Sequence, residues 1–219
     1  MGIKFGDAPA ATTAASSTEA TAAPVAAPSG AITLDLTKSA VLDLTKVKPG
    51  LKKCVVAAGW DAAAAGSAKI DLDLSAFLCN ANGKIESSSD IIYFGHKVEN
   101  GIRLGEDNTT GEGAGDDETI EVDLDCIDPR YQSIVFIVNI FDAMVKKQTF
   151  GMVKESYVRL LDAGDDNKEL CRFRLKDDYS SSTGVIFAKL KRNGSGWEFE
   201  AVGEGKVMAD LNVAAAMFS

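Results

Sequence analysis

From residue 32 onward, polar and apolar side chains alternate in short runs broken by Gly, Asn and Asp. In "AKIDLDLSAFLCN", Asp71, Asp73 and Ser75 fall on one face of an extended chain, and Ile70, Leu72, Leu74 and Ala76 on the other. That period of two marks a half-buried strand. "TIEVDLDC" alternates in the same way, and "KKCVVAAGW" (leading to Asp61) and "DIIYFG" read as further strands, with "ANGK" as a turn. "QSIVFIVNIF" is apolar almost without a break, which predicts a central strand covered on both faces. "SYVRLLDAGDDNKELCRFRL" predicts a hairpin turning at "DAGDDN", and "GVIFAKLKRNGSGWEFEAVG" a second turning at "RNGSG". The near-repeat "LDLTK", at 34–38 and 42–46, predicts a third hairpin. "VMADLNVAAAMF" has helical spacing and closes the chain. Roughly ten strands and one or two short helices make the chain mostly β, and a β-sandwich is the expected architecture.

The N-terminus breaks this pattern. Ala8 to Ala31 is built from Ala, Thr, Ser and Pro, with no aromatic residue and almost no charge. Such a segment cannot bury a core of its own. The chain therefore divides into a low-complexity arm, 1–31, and one domain, 32–219. The arm reads as a flexible linker or as a device that docks on a partner. No long apolar core of a secretory signal stands at the start, and Gly6, followed by Asp7, occupies the place where a myristoylation site needs Ser or Thr. No apolar run reaches the roughly 18–20 residues of a membrane-spanning helix. The expected location is the cytoplasm.

Charge changes the picture at one place. The segment "GEDNTTGEGAGDDE", Gly105 to Glu118, holds acids and glycines and no base. Ten acids and no Lys or Arg fall between 105 and 129, so a net charge of −9 leaves the remainder of the chain at about +1. A local negative field excludes a nucleic-acid groove, which needs clustered bases. Glycines turn the backbone sharply and draw the carboxylates together; carboxylates held close repel unless a cation stands among them. Asp61, Asp71, Asp73, Asp107, Asn108, Glu112, Asp116, Asp117 and Glu118 supply hard oxygen donors in surplus for one ion, and Ca²⁺ takes six to eight such oxygens. One or two ions are expected. Four scattered cysteines without a CxxC pair argue against zinc and read as buried free thiols, and the single His96 makes a softer metal a poor match. "GEGAG" has no following Lys to hold a phosphate, and His96 joins no nucleophile motif, so catalysis is not expected. Trp60 and Trp197 read as core, and Lys189, Lys191 and Arg192 as a solvated hairpin tip.

"PGLKKCVVAAGWD", "IDLDLSAFL", "EDNTTGEGAGDDETIEVDL", "IVFIVNIFDA", "QTFGMVKESYVRLLD", "ELCRFRL" and "GWEFEAVGEG" follow one another in the order and spacing of the TerD family of tellurium-resistance and stress-response proteins. The resemblance runs from about Ile32 to Gly205. It implies a TerD-like β-sandwich that binds calcium and acts in bacterial stress physiology by binding rather than catalysis. Two positions depart from the family pattern: Ala114 stands where relatives carry an acid, and Glu106 where they commonly have glycine.

A protein partner or assembly is expected, with residues 1–30 as one means of attachment; contact with a membrane face is a further expectation. The other reading is a structural component of a large assembly such as a phage particle, attached through the N-terminal arm, with the virion as its location and calcium as a staple.

Overall fold

The computed structural model describes residues 34–61, 69–106, 115–175, 179–194 and 196–219, the side chains of Asp61 and Lys154 excepted. The N-terminal arm lies outside the described residues. Strands β1 (Leu34–Leu36), β3 (Lys53–Asp61), β6 (Val98–Glu99), β7 (Ile102–Leu104), β8 (Glu118–Asp123), β10 (Lys154–Asp162) and β11 (Lys168–Arg174) make one sheet, in the order β1-β11-β10-β3-β8-β7-β6. Strands β2 (Val41–Asp43), β4 (Leu72–Cys79), β5 (Ile91–Ile92), β9 (Ser133–Ile140), β12 (Gly184–Asn193) and β13 (Gly196–Lys206) make the second, in the order β2-β13-β12-β9-β4-β5. Apolar side chains from both inner faces form one core, including Val56, Trp60, Ile120, Phe136, Phe187 and Phe199. The fold is the expected mostly β sandwich, and Trp60 and Trp197 are buried in it as expected.

The alternation in "IDLDLSAFL" survives as geometry. Leu72, Leu74, Ala76 and Leu78 face the inter-sheet core, while Phe77 and Cys79 belong to a second cluster on the outer face. The helix α3 (Leu211–Met217) covers that outer face, with Phe77 and Phe218 rings 5.5 Å apart. β9 lies between β4 and β12, so Val135 and Ile137 pack under α3 while Ile134 and Phe136 enter the core. Double coverage explains its unbroken apolar run.

The hairpins β10–β11 and β12–β13 form as expected. The third does not. β1 pairs in parallel with β11, and β2 pairs antiparallel with β13, so the two "LDLTK" copies complete opposite sheets. In the second copy the Asp43 carboxylate accepts from the Thr45 N–H at 3.0 Å and caps the short helix α1 (Leu44–Val47). A local cap and two open sheet edges outweigh the repeat. "DIIYFG" gives only the two-residue β5 and an isolated bridge between Tyr93 and His96. Arg192 is also not merely solvated: it donates to the carbonyls of Tyr131 and Ile127, both at 2.9 Å, and stacks on Trp197. Of the cysteines, Cys54, Cys79 and Cys171 are buried, and Cys126 is exposed in the turn after β8.

Candidate functional site

Three consecutive acids close the acidic segment, and the structure sends them in three directions. Glu118 opens β8. Alternation turns Glu118, Ile120 and Val122 inward, and Glu118 is only 3% exposed. Its Oε2 accepts from the Leu74 N–H of β4 at 2.6 Å. That N–H is available because β5 pairs only with Ala76 and Phe77, and the ladder stops short of Leu74. A carboxylate on one sheet therefore satisfies the backbone of the other. Asp117 continues the β3–β8 ladder, donating its N–H to Ala58 O at 2.9 Å, while its Oδ2 accepts from the Trp60 N–H at 2.8 Å. Asp116 points to the outer face of the first sheet. The Arg159 guanidinium holds both its oxygens at 2.7 Å, and the Tyr157 hydroxyl donates to Gly115 O at 2.9 Å.

The Asp116 contact belongs to a network. Arg159 also donates to Glu169 Oε2 at 2.9 Å, Glu169 accepts from Arg172 at 3.0 and 2.7 Å, and Arg172 stacks 4.4 Å from the Tyr157 ring centroid. Gly59 gives Tyr157 its room, since a Cβ there would lie 2.4 Å from the tyrosine ring. Burial raises the Glu169 carboxyl, but hydrogen bonds from Arg172 and Arg159 outweigh it and hold the group below the usual carboxylate range. Burial opposes the charge on Arg159, yet its bonds to Asp116 and Glu169 strengthen it. Burial and then the Asp116 charge push the Tyr157 hydroxyl up to about 12. A carboxyl with a depressed folded pKa contributes stability that is present above its unfolded value and lost as pH falls through the folded one. The melting temperature is therefore expected to fall below about pH 4.5, and Glu169→Gln to flatten that fall in thermal scans between pH 6 and 3. A variant that titrates like the parent removes Glu169 from the acid response.

The remaining candidate residues separate further. Asp61 ends β3, with its side chain outside the described residues, as are Asp107, Asn108, Glu112 and Ala114. Asp71 stands at the entry to β4; its carbonyl accepts from the Phe141 N–H at 2.9 Å and its carboxylate lies 3.9 Å from Lys146 Nζ. Asp73 is opposite Asn139 of β9 and lines a cavity on the outer face of the second sheet. Thus Asp117, Glu118 and the end of β3 meet at one end of the sandwich, while Asp116 and Asp73 are carried to its opposite outer faces. Among the described residues no three His, Cys, Asp or Glu side chains close on a common point. The oxygen-only donor set suits a hard cation such as Ca²⁺. Asp116 is the poorest fit, because a guanidinium engages both its oxygens.

Sequence reasoning did not find Tyr157, Arg159, Glu169 and Arg172. The register supplies the missing signal: Arg159 lies directly across from Arg172. Like charges opposite each other in a ladder need an acid between them, and Glu169 is that acid.

The family model of the TerD domain matches residues 32–218. The chain is 38% identical over 185 residues to the stress response protein SCP2 of Bacillus subtilis (strain 168), covering 78% of this chain and 92% of that one. It is 37% identical over 177 residues to the tellurium resistance protein TerD of Serratia marcescens, covering 80% and 91%. Among solved structures, an unknown-function protein, SAV2460, superposes with a TM-score of 0.65 at 25% identity, covering 78% of this chain and 98% of that one. A homologue of telluride resistance protein (TerD), SCO6318 of Streptomyces coelicolor A3(2), shares the fold at TM-score 0.62 and 23% identity, covering 78% and 99%.

Proposed function

The chain belongs to the TerD family of tellurium-resistance and stress-response proteins, and from that premise we propose that it is a calcium-binding protein that acts by binding rather than by catalysis. The carrying observation is the end of the sandwich where β3 stops and β8 begins. There the strand N–H groups of Trp60 and Leu74 fix the directions of the Asp117 and Glu118 carboxylates. Fixed carboxylates at the mouth of a segment that also contains Asp107, Asn108 and Glu112 form a hard, oxygen-rich donor set, to which Asp61 and Asp71 add. In this reading Asp116 serves the Arg159 network, and Asp73 stands apart from the ion. Neutralising the segment would set its conformation and present a surface to a protein partner.

Calorimetric titration of the chelator-stripped full chain is expected to show one or two Ca²⁺ ions bound, more tightly than Mg²⁺, whose octahedral demand suits a long acidic segment less well. Asp71→Asn is expected to weaken the binding and Asp73→Asn to leave it intact. Absence of heat at millimolar Ca²⁺ refutes the calcium reading.

A further inference from the structure

On the outer face of the second sheet, away from Asp117 and Glu118, lies a cavity of about 590 Å³. Its floor is the β4–β9 pair, where Asp73 and Asn139 stand opposite each other. One wall is the first turn of α3; the other is the Tyr93–Phe94 segment and Phe141 with Asp142. The Phe94 and Phe141 rings meet edge to face at 6.0 Å, and both remain exposed, with Phe94 at 48%. None of the described residues lining the cavity is Lys or Arg.

Four observations narrow what would enter it. Asn139 is 9% exposed, and its Oδ1 has no hydrogen-bond partner. A buried acceptor left in this condition calls for a donor. Asp210 spends its carboxylate on the N–H groups of Asn212 and Val213, which cancels the positive end of α3. Asp142 sits at the start of the four-residue helix α2 (Ala143–Lys146) and accepts no capping hydrogen bond; its backbone is left-handed, at φ 55°. A non-glycine residue held there is the kind of strained position that clusters at binding sites. Lys146, 4.9 Å from the Phe141 ring centroid, also lies 3.9 Å from the Asp71 carboxylate. The cavity thus presents acids, an unsatisfied acceptor and aromatic faces.

We infer that this cavity binds an organic ammonium ion with an apolar body. The ammonium donates to Asn139 Oδ1 and the Asp73 carboxylate, and the apolar body lies against the exposed Phe94 and Phe141 rings. An amine of about ten heavy atoms fits the volume. The site does not rest on the calcium reading, and the two fail separately.

The test titrates the full chain with phenethylammonium and, in parallel, with the neutral 2-phenylethanol, each in chelator and in saturating Ca²⁺, followed by calorimetry and by NMR of backbone amides. Saturable binding of the amine with a Kd of about 1 mM or tighter is expected, with shifts at Asn139 and Phe141. The alcohol should bind at least about tenfold more weakly, the loss of one charge-assisted contact. Asp73→Asn, which keeps the side-chain shape, should weaken the amine about tenfold while leaving the Ca²⁺ isotherm unchanged. Equal binding of alcohol and amine would show a merely apolar cavity and overturn the inference. So would displacement of the amine by stoichiometric Ca²⁺, which would make this a metal site, and so would no saturation by 10-fold the expected Kd. Since the amine-to-alcohol comparison uses the unaltered chain, a folding defect in the variant cannot decide the outcome.

Discussion

Replacing Glu118 by Ala is expected to cost about 3 kcal/mol of unfolding free energy, and replacing it by Gln far less. The alanine leaves the Leu74 N–H without its acceptor inside the sandwich, a loss of about 1–3 kcal/mol. It also removes buried side-chain volume that the neighbours cannot fully reclaim. For a domain of this size the melting temperature should fall by on the order of 10 °C. Gln keeps an oxygen that can accept from Leu74 and removes only the charge. Without an ion, that charge is a liability, because a carboxylate 3% exposed has lost most of its hydration. In chelator, Glu118→Gln should therefore melt within a few degrees of the parent. If Glu118 is a calcium ligand as proposed, the variant should fall behind in saturating Ca²⁺, because a ligand charge would be gone. Equal calcium-induced shifts in the parent and the Gln variant would show that Glu118 serves only as a hydrogen-bond acceptor between the sheets.

The same residue shows how much of the molecule could be read from the sequence. The alternation in "TIEVDLDC" predicts a strand from Thr119 and leaves Glu118 in the acidic loop; the structure begins β8 one residue earlier and turns Glu118 inward. Its partner does not follow from the sequence either, because Leu74 belongs to the other sheet and becomes available only where β5 ends after two residues. The hairpins at "DAGDDN" and "RNGSG" were legible because turn chemistry and flanking alternation are local. The "LDLTK" pair was misleading for the opposite reason: whether two neighbouring strands pair with each other or with distant edges depends on which edges stand open. That is a property of the finished sheets. The division of the acidic stretch into an outward Asp116, an edge Asp117 and an inward Glu118 follows in part from the period of two. What fixes Asp116, however, is an arginine 43 residues away in sequence.

That arginine carries the other large expected effect. Arg159→Ala takes the guanidinium from both oxygens of Asp116, leaving Oδ1 only the Tyr157 hydroxyl at 3.2 Å, and leaves Glu169 to Arg172 alone. The side chains of Asp116 and Glu169 are 11% and 14% exposed, so little water reaches the charges left behind. Breaking a buried pair from one side costs about 3–5 kcal/mol. Here the lower end is expected, near 3 kcal/mol at neutral pH, because Arg159 is itself 24% exposed and Arg172 remains. The gap between parent and variant should narrow in acid, since protonating Glu169 removes a charge that Arg159 answers. The narrowing should come below the usual carboxylate range, as the depressed Glu169 pKa requires. Thermal scans at pH 7 and pH 3 read both effects, and equal melting temperatures at pH 7 would show that the network contributes nothing to the fold. Calcium adds a second reading of the same variant. With its guanidinium gone, Asp116 becomes one more carboxylate at the mouth of the acidic segment. If Ca²⁺ then raises the melting temperature of Arg159→Ala by more than it raises that of the parent, the ion has taken over a charge that arginine normally neutralises. If the two shifts are equal, Asp116 adds nothing to calcium binding in either state.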